Sequence, residues 1–151
     1  MKHIENYFSN VIQSVNNLDK KKILKIIELL KNLRSKSGRL FLIGVGGSAG
    51  NASHAVNDFR KLCNIDAYTP VDNISEITAK TNDEGFDTIF DSYLKLCKIN
   101  RKDILMVFSV GGGSQKKNVS VNLIKAIKYA KIKKTKIISV VGKTDGYAYK
   151  N

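Results

Sequence analysis

The chain has no tryptophan, a single proline, two cysteines and half as many acidic as basic side chains. Each scarcity excludes something. Cys63 and Cys97 stand far apart with no CxxC pair, so they supply neither a disulfide framework nor zinc-ligand spacing, and both read as buried, reduced thiols. No proline-rich linker, internal repeat or low-complexity tract divides the 151 residues, and at 42% hydrophobic composition the chain fills one core but not two. The expectation is a single domain, with residues 1–37 as a leading helical pair and residues 38–151 as an α/β core. No apolar run approaches the roughly 18 residues that cross a bilayer, and "MKHIENYFSN" is amphipathic rather than an export signal. A cytoplasmic protein with no membrane partner follows.

What is abundant is lysine. Lys and Arg number 26 against 13 Asp and Glu, for a net charge of +13. A basic footprint is how proteins find phosphate backbones. Here the excess is scattered over helical segments such as "DKKKILKIIELLKNLRSK", without aromatic interleaving, and reads as a solvated basic surface with no nucleic-acid partner. A general attraction for anionic metabolites remains.

Ile4, Tyr7, Phe8, Val11, Ile12 and Val15 form the stripe of an amphipathic helix. Asp19 is placed to cap a second helix that carries Ile23, Ile26, Ile27, Leu30 and Leu33 and ends at Gly38. From residue 39 the rhythm changes. "RLFLIGV", a weaker "IDAYTPV", "DILMVFSV" and "KTKIISVVG" read as strands, and the segments between them as helices. Continuous apolar strands joined through helices indicate a parallel sheet covered on both faces, a doubly wound α/β sandwich. After the last strand, "GKTDGYAYKN" runs out where such a fold normally adds another helix.

In open α/β sheets ligands sit beyond the carboxyl ends of the strands. Two glycine-rich turns fall there: "GVGGS" with Gly46, Gly47 and Ser48, and "SVGGGS" with Ser109, Gly111 and Ser114. Bare backbone admits a ligand close to unpaired helix N–H groups, and serine hydroxyls add donors without charge. Together they describe a site for a phosphate. Gly44-x-Gly46-x-x-Ala49 also fits the dinucleotide fingerprint, with Asp66 about 20 residues on, near the end of the next expected strand. The two leading helices and the second turn have no role in that motif. "GKT" at 142–144 is no P-loop, because the upstream glycine it needs is Ile137. On the helix after the first turn, His54 and Asp58 lie at i, i+4, on one face, where an imidazole and a carboxylate can share a metal or divide proton transfer.

"GVGGSAGNASHAVNDF", "TNDEGFDTIF" and "FSVGGGSQKKNVSVNLIKAI", in this order and at these separations, resemble the SIS (sugar isomerase) domain family, and within it the phosphoheptose isomerases. The likeness covers nearly the whole chain. It implies a homotetramer, or a homodimer, assembled through the N-terminal helices. The implied activity is an aldose–ketose isomerisation of sedoheptulose 7-phosphate to D-glycero-D-manno-heptose 7-phosphate, for lipopolysaccharide or capsule. By the same resemblance Ser48, Ser109 and Ser114 hold the sugar phosphate, Asn82 and Asp83 lie near the sugar, and His54 and Asp58 ligate one zinc per subunit, with Asp58 as the base.

Three departures stand out. The family's usual acid at position 58 is glutamate, one methylene longer. Val110, Gly111 and Gly113 take the place of hydroxyl and amide side chains, with Lys116 or Lys117 at hand to compensate. The family's remaining zinc ligands, a glutamine and a histidine, belong to a helix expected beyond residue 151. The alternative is therefore a non-catalytic SIS module that binds a phosphosugar or a protein.

Overall fold

The computed structural model describes residues 1–151. Helix α1 (Lys2–Asn16) and helix α2 (Lys20–Ser35) come first. Strand β1 (Leu40–Gly44), helix α3 (Gly47–Cys63) and a two-residue strand β2 (Ala67–Tyr68) follow. A 3-10 turn at Pro70–Asp72 leads into α4 (Ile74–Glu84), and a second at Phe86–Thr88 leads into α5 (Ile89–Leu96). The chain closes with β3 (Ile104–Ser109), α6 (Val121–Ile132), β4 (Lys136–Val141) and a four-residue helix α7 (Tyr147–Lys150).

The boundaries have local causes. Asp19 Oδ1 accepts the N–H groups of Lys21 and Lys22 at 2.9 and 3.2 Å, the side-chain cap read from the sequence. Asn73 Oδ1 caps α4 by accepting Glu76 N–H at 3.2 Å. Helix α6 starts later than "KNVSVNL" indicates, because Ser114 and Val119 pair as an antiparallel bridge and Ser120 takes a left-handed conformation at φ 50°. The tail does not simply run out: α7 turns there, with Ala148 in the core.

Two compact units make up the chain, Met1–Lys31 and Asn32–Asn151. The division falls inside α2 rather than after residue 37. The last turn of that helix belongs to the second unit because Leu33 is buried and the Arg34 guanidinium donates to the Cys63 carbonyl at 3.1 Å. In the first unit, Ile4, Phe8 and Ile12 on α1 stand exposed.

The second unit is built on one sheet of order β2-β1-β3-β4, every neighbouring pair parallel. Side chains alternate along each strand. Phe41, Ile43, Leu105 and Val107 join Phe90, Leu94, Leu123 and Ile127 of α5 and α6 in one core cluster. Leu40, Leu42, Met106 and Ile138 are buried outside that cluster, on the opposite face, where Ala52 and Val56 of α3 are also buried. This is the expected sandwich with helices on both faces. Neither cysteine is fully buried as expected; both are half-buried, and burial is the main cause that pushes the Cys97 thiol above its ordinary value.

The order also fixes the switch point. From β1 the chain crosses by α3 to β2 on one side, and from β3 by α6 to β4 on the other. The crevice between the carboxyl ends of β1 and β3 is where such sheets bind ligands. The two glycine turns leave β1 and β3 at this edge.

Candidate functional site

The first turn leaves β1 at Gly44. A methyl group on Gly44 would lie 2.4 Å from the Ser48 carbonyl oxygen, so only a glycine lets the end of the strand meet the first turn of α3. Gly44→Ala is expected to cost about 1–3 kcal/mol, the usual range for overpacking, read as a lower urea midpoint with unchanged m. Past it the backbone is bare. Gly46 takes φ 61°, a methyl on Gly46, Gly47 or Gly50 would meet nothing within 4 Å, and α3 has no side-chain cap. An uncapped N-terminus with open space before it is suited to an anion.

Along α3 the stripe Ser48, Asn51, His54 and Asp58 forms one wall of an open cleft of about 620 Å³. The other wall is Phe108–Val110 from the end of β3 and Val140–Gly142 from the end of β4. His54 Nε2 lies 3.3 Å from Asp58 Oδ2, with the side chains 78% and 46% exposed. So exposed a pair contributes little to stability. Its two ionisable groups, held one helical turn apart, are free for chemistry in the cleft.

The separation of 3.3 Å also matches one edge of a tetrahedral zinc site with bonds of roughly 2.0–2.2 Å. Zinc sites draw three or four ligands from the protein, however, and nowhere do three His, Cys, Asp or Glu side chains come together. Residues 1–151 thus bring two zinc ligands together, His54 and Asp58, and the proton transfers proposed for the cleft rest on those two side chains alone.

The second turn is built differently from the first. Ser109 Oγ accepts Gly112 N–H at 3.0 Å, and Ser114 Oγ accepts Lys117 N–H at 3.3 Å, so both hydroxyl oxygens help to fold the loop. Gly112 and Gly113 are covered by the chain's own tail: their carbonyls accept Ala148 N–H at 2.8 Å and Tyr147 N–H at 2.9 Å. Gly146 permits this approach, since a methyl there would lie 2.1 Å from the Gly111 carbonyl oxygen. Gly111, Ser114 and Ser120 line a separate cavity of about 230 Å³, together with Lys117 and Lys143.

The ten residues singled out from the sequence thus divide. Ser48, His54, Asp58 and Ser109 meet in the main cleft, Gly111 and Ser114 in the smaller cavity, and Gly46 and Gly47 at the open start of α3. Asn82 and Asp83 line none of these. They are exposed on the last turns of α4, where Asn82 Nδ2 donates to Asp83 Oδ1 at 2.8 Å. Between the 3-10 turn that follows α4 and the start of α6, a third cavity of about 430 Å³ takes instead Phe86, Asp87, Ser120 and Asn122. There the Lys125 ammonium donates to Asp87 and holds its carboxyl below the usual carboxylate range. Sequence reading passed over Asn51 and Ser120. Asn51 was legible, lying midway between Ser48 and His54 on the same helical stripe; Ser120 was not, because the start of α6 was placed too early.

The dinucleotide fingerprint fails on geometry. Asp66 precedes β2 instead of ending it, and its carbonyl accepts Leu40 N–H at 2.8 Å, at the amino edge of the sheet. The glycine turn is at the carboxyl edge, so the acid and the turn cannot hold the same nucleotide.

The chain is similar to known proteins over most of its length. A phosphoheptose isomerase of Buchnera aphidicola is 29% identical over 97% of this chain and 71% of its own length. The lincomycin biosynthesis protein LmbN of Streptomyces lincolnensis is 32% identical over 76% of this chain, which spans 44% of that longer protein. Among solved structures, phosphoheptose isomerase GmhA from Neisseria gonorrhoeae superposes on 99% of the chain and 78% of its own, with a TM-score of 0.84 at 24% identity, a likeness of fold. The SIS domain model matches residues 4–142, and the chain belongs to the SIS domain family.

Proposed function

We propose that this chain is an aldose–ketose isomerase of heptose phosphates, converting sedoheptulose 7-phosphate to D-glycero-D-manno-heptose 7-phosphate through an enediol. The observation that carries the reading is the His54–Asp58 pair facing the carboxyl ends of β3 and β4 across the main cleft, with His54 about two helical turns beyond the bare start of α3. Relatives named phosphoheptose isomerase, alignable over nearly the whole chain, support it.

The chemistry asks for one base and one proton carrier. Asp58 takes a proton from C1 while the C2 carbonyl oxygen takes one from a protonated His54, and the electron pair left at C1 closes the C1=C2 bond of the enediol. In the second half Asp58 returns its proton to C2, and His54 recovers one from the C1 hydroxyl, which becomes the carbonyl. Protons balance and no oxidant is needed. Positioned proton transfer of this kind contributes about 10²–10⁴-fold. Ser48, Asn51 and Ser109 offer hydrogen-bonding groups to the sugar hydroxyls along the same cleft.

The reading extends to a cytoplasmic enzyme that supplies heptose for lipopolysaccharide or capsule. It also carries a homotetramer assembled through α1, whose apolar stripe would be covered by other copies. No helix is long and apolar enough to cross a membrane. Incubation with sedoheptulose 7-phosphate, with and without added zinc, is expected to yield the aldose. Binding of the sugar phosphate with no aldose under either condition would overturn the isomerase and favour a phosphosugar-binding module.

A further inference from the structure

We infer that Lys117 and Lys143 clamp the phosphate of the substrate from the small cavity behind the second glycine turn. This rests on the sugar-phosphate reading above and names its charge-bearing subsite. The need for it comes from the main cleft. No lysine or arginine lines that cleft, and its one carboxylate, Asp58, repels a phosphate. The serines of the second turn accept N–H groups of the loop and keep their O–H donors, but bring no charge. The bare start of α3 offers N–H donors and a partial charge, and His54 serves the proton transfer, so a phosphate dianion at this edge draws a full compensating charge from elsewhere.

The adjoining cavity of about 230 Å³ has it. Lys117 and Lys143 line it, neither engaged in an ion pair, beside Ser114 and Ser120. Both walls are pinned by the backbone. The Ser114–Val119 bridge closes the turn that carries Lys117. Gly142 N–H donates to the Val110 carbonyl at 3.1 Å and fixes the segment that carries Lys143. The two spaces are also continuous along the chain: Val110 and Gly142 line the cleft, while the next residues, Gly111 and Lys143, line the cavity. A sugar phosphate with its carbonyl end at Asp58 reaches the lysines by passing over that one hydrogen bond. The cavity is roomy for a phosphate and tight for a whole heptose.

One group on the wall works against the anion. Asp145 also lines the cavity and, like the lysines, has no ion-pair partner. Its carboxylate trims the affinity, which gives the test a sign that a general loss of structure would not produce.

The test titrates inorganic phosphate into the full chain and follows the amide shifts of Gly111, Gly113 and Ser114 by NMR. Charge-assisted hydrogen bonds are the strong ones, so the double variant K117A/K143A is expected to weaken phosphate at least about tenfold. K143R is expected to stay within about threefold of the parent, because the charge is kept. D145N is expected to tighten binding about threefold, as removing one like charge at several ångströms should. K150A, which removes the same charge from outside the cavity, leaves the affinity unchanged. With sedoheptulose 7-phosphate, the double variant raises KM by the factor seen for phosphate while kcat stays within about threefold. No phosphate binding by the parent, or equal affinity in K117A/K143A, overturns the clamp. Absence of turnover with intact, lysine-dependent phosphate binding overturns the isomerase reading and leaves the clamp standing.

Discussion

Asp58→Asn is expected to lower kcat on sedoheptulose 7-phosphate by about 10²–10⁴-fold, the contribution of a positioned base, with little change in KM. The amide keeps the size and the hydrogen-bonding reach of the carboxylate and loses only its basicity. Stability should not move. Asp58 is 46% exposed and its one ionic partner, His54, is more exposed still, so the pair contributes at most about 1 kcal/mol before solvent screening is counted. A coupled loss of rate and of melting temperature would thus point to a folding defect rather than to the base. Asp58→Glu lengthens the side chain by the methylene that the family usually carries, and is expected to stay within about tenfold of the parent, since a shift of roughly an ångström is felt in rate. A D58N variant with the full rate would remove Asp58 from the mechanism, and with it the proton path drawn through His54.

The largest expected loss of stability lies at the other edge of the sheet. Asp103 is 2% exposed, and five donors converge on its carboxylate. Arg39 N–H and Nε–H reach Oδ1 at 3.1 and 3.2 Å, while Arg39 Nη2, Asn100 N and Asn100 Nδ2 reach Oδ2 at 2.8, 3.0 and 3.1 Å. The hydrogen bond it donates to Asp103 is the main cause that lifts the Arg39 guanidinium above its already high ordinary value. Asp103→Ala strands the arginine and the Asn100 amides together at the amino ends of β1 and β3. Breaking a buried, hydrogen-bonded pair by removing one partner costs about 3–5 kcal/mol. For a chain of this length that is a fall in melting temperature of about 10 °C. Arg39→Lys should recover only part, because an ammonium cannot reproduce the fork that engages both oxygens. A loss under about 1 kcal/mol in D103A, read from urea unfolding, would mean that the network is solvated rather than buried.

Asp103 and Asp58 illustrate the limits of reading a chain in one dimension. In sequence they are two of 13 acids, and nothing in "NRKDILMVF" distinguishes Asp103 as the anchor of two strands. Its partner Arg39 is 64 residues away and meets it only because β1 and β3 pair in parallel, with Leu40 opposite Ile104. Asp58, by contrast, was legible. The i, i+4 spacing from His54 and the glycine turn that launches their helix are local facts, and a helix converts them into a shared face without help from the rest of the fold.

By itself, then, the sequence determined what local spacing determines. It set the alternation of buried strands and helices, the cap at Asp19, the bare turn at Gly44–Ser48 and the pairing of His54 with Asp58. Tertiary structure decided what depends on distant segments meeting. It placed Asp66 at the wrong edge for a nucleotide, left Asn82 and Asp83 outside the cavities, and turned the second glycine loop inward to accept the tail at Tyr147 and Ala148. It also set Lys117 beside Lys143, a neighbour 26 positions on in sequence (143 − 117), around one cavity. The physical reason is the same throughout. A hydrogen-bonding glycine or an unpaired lysine carries the same local signal whether it faces solvent, a ligand or its own chain, and strand order and register choose among them.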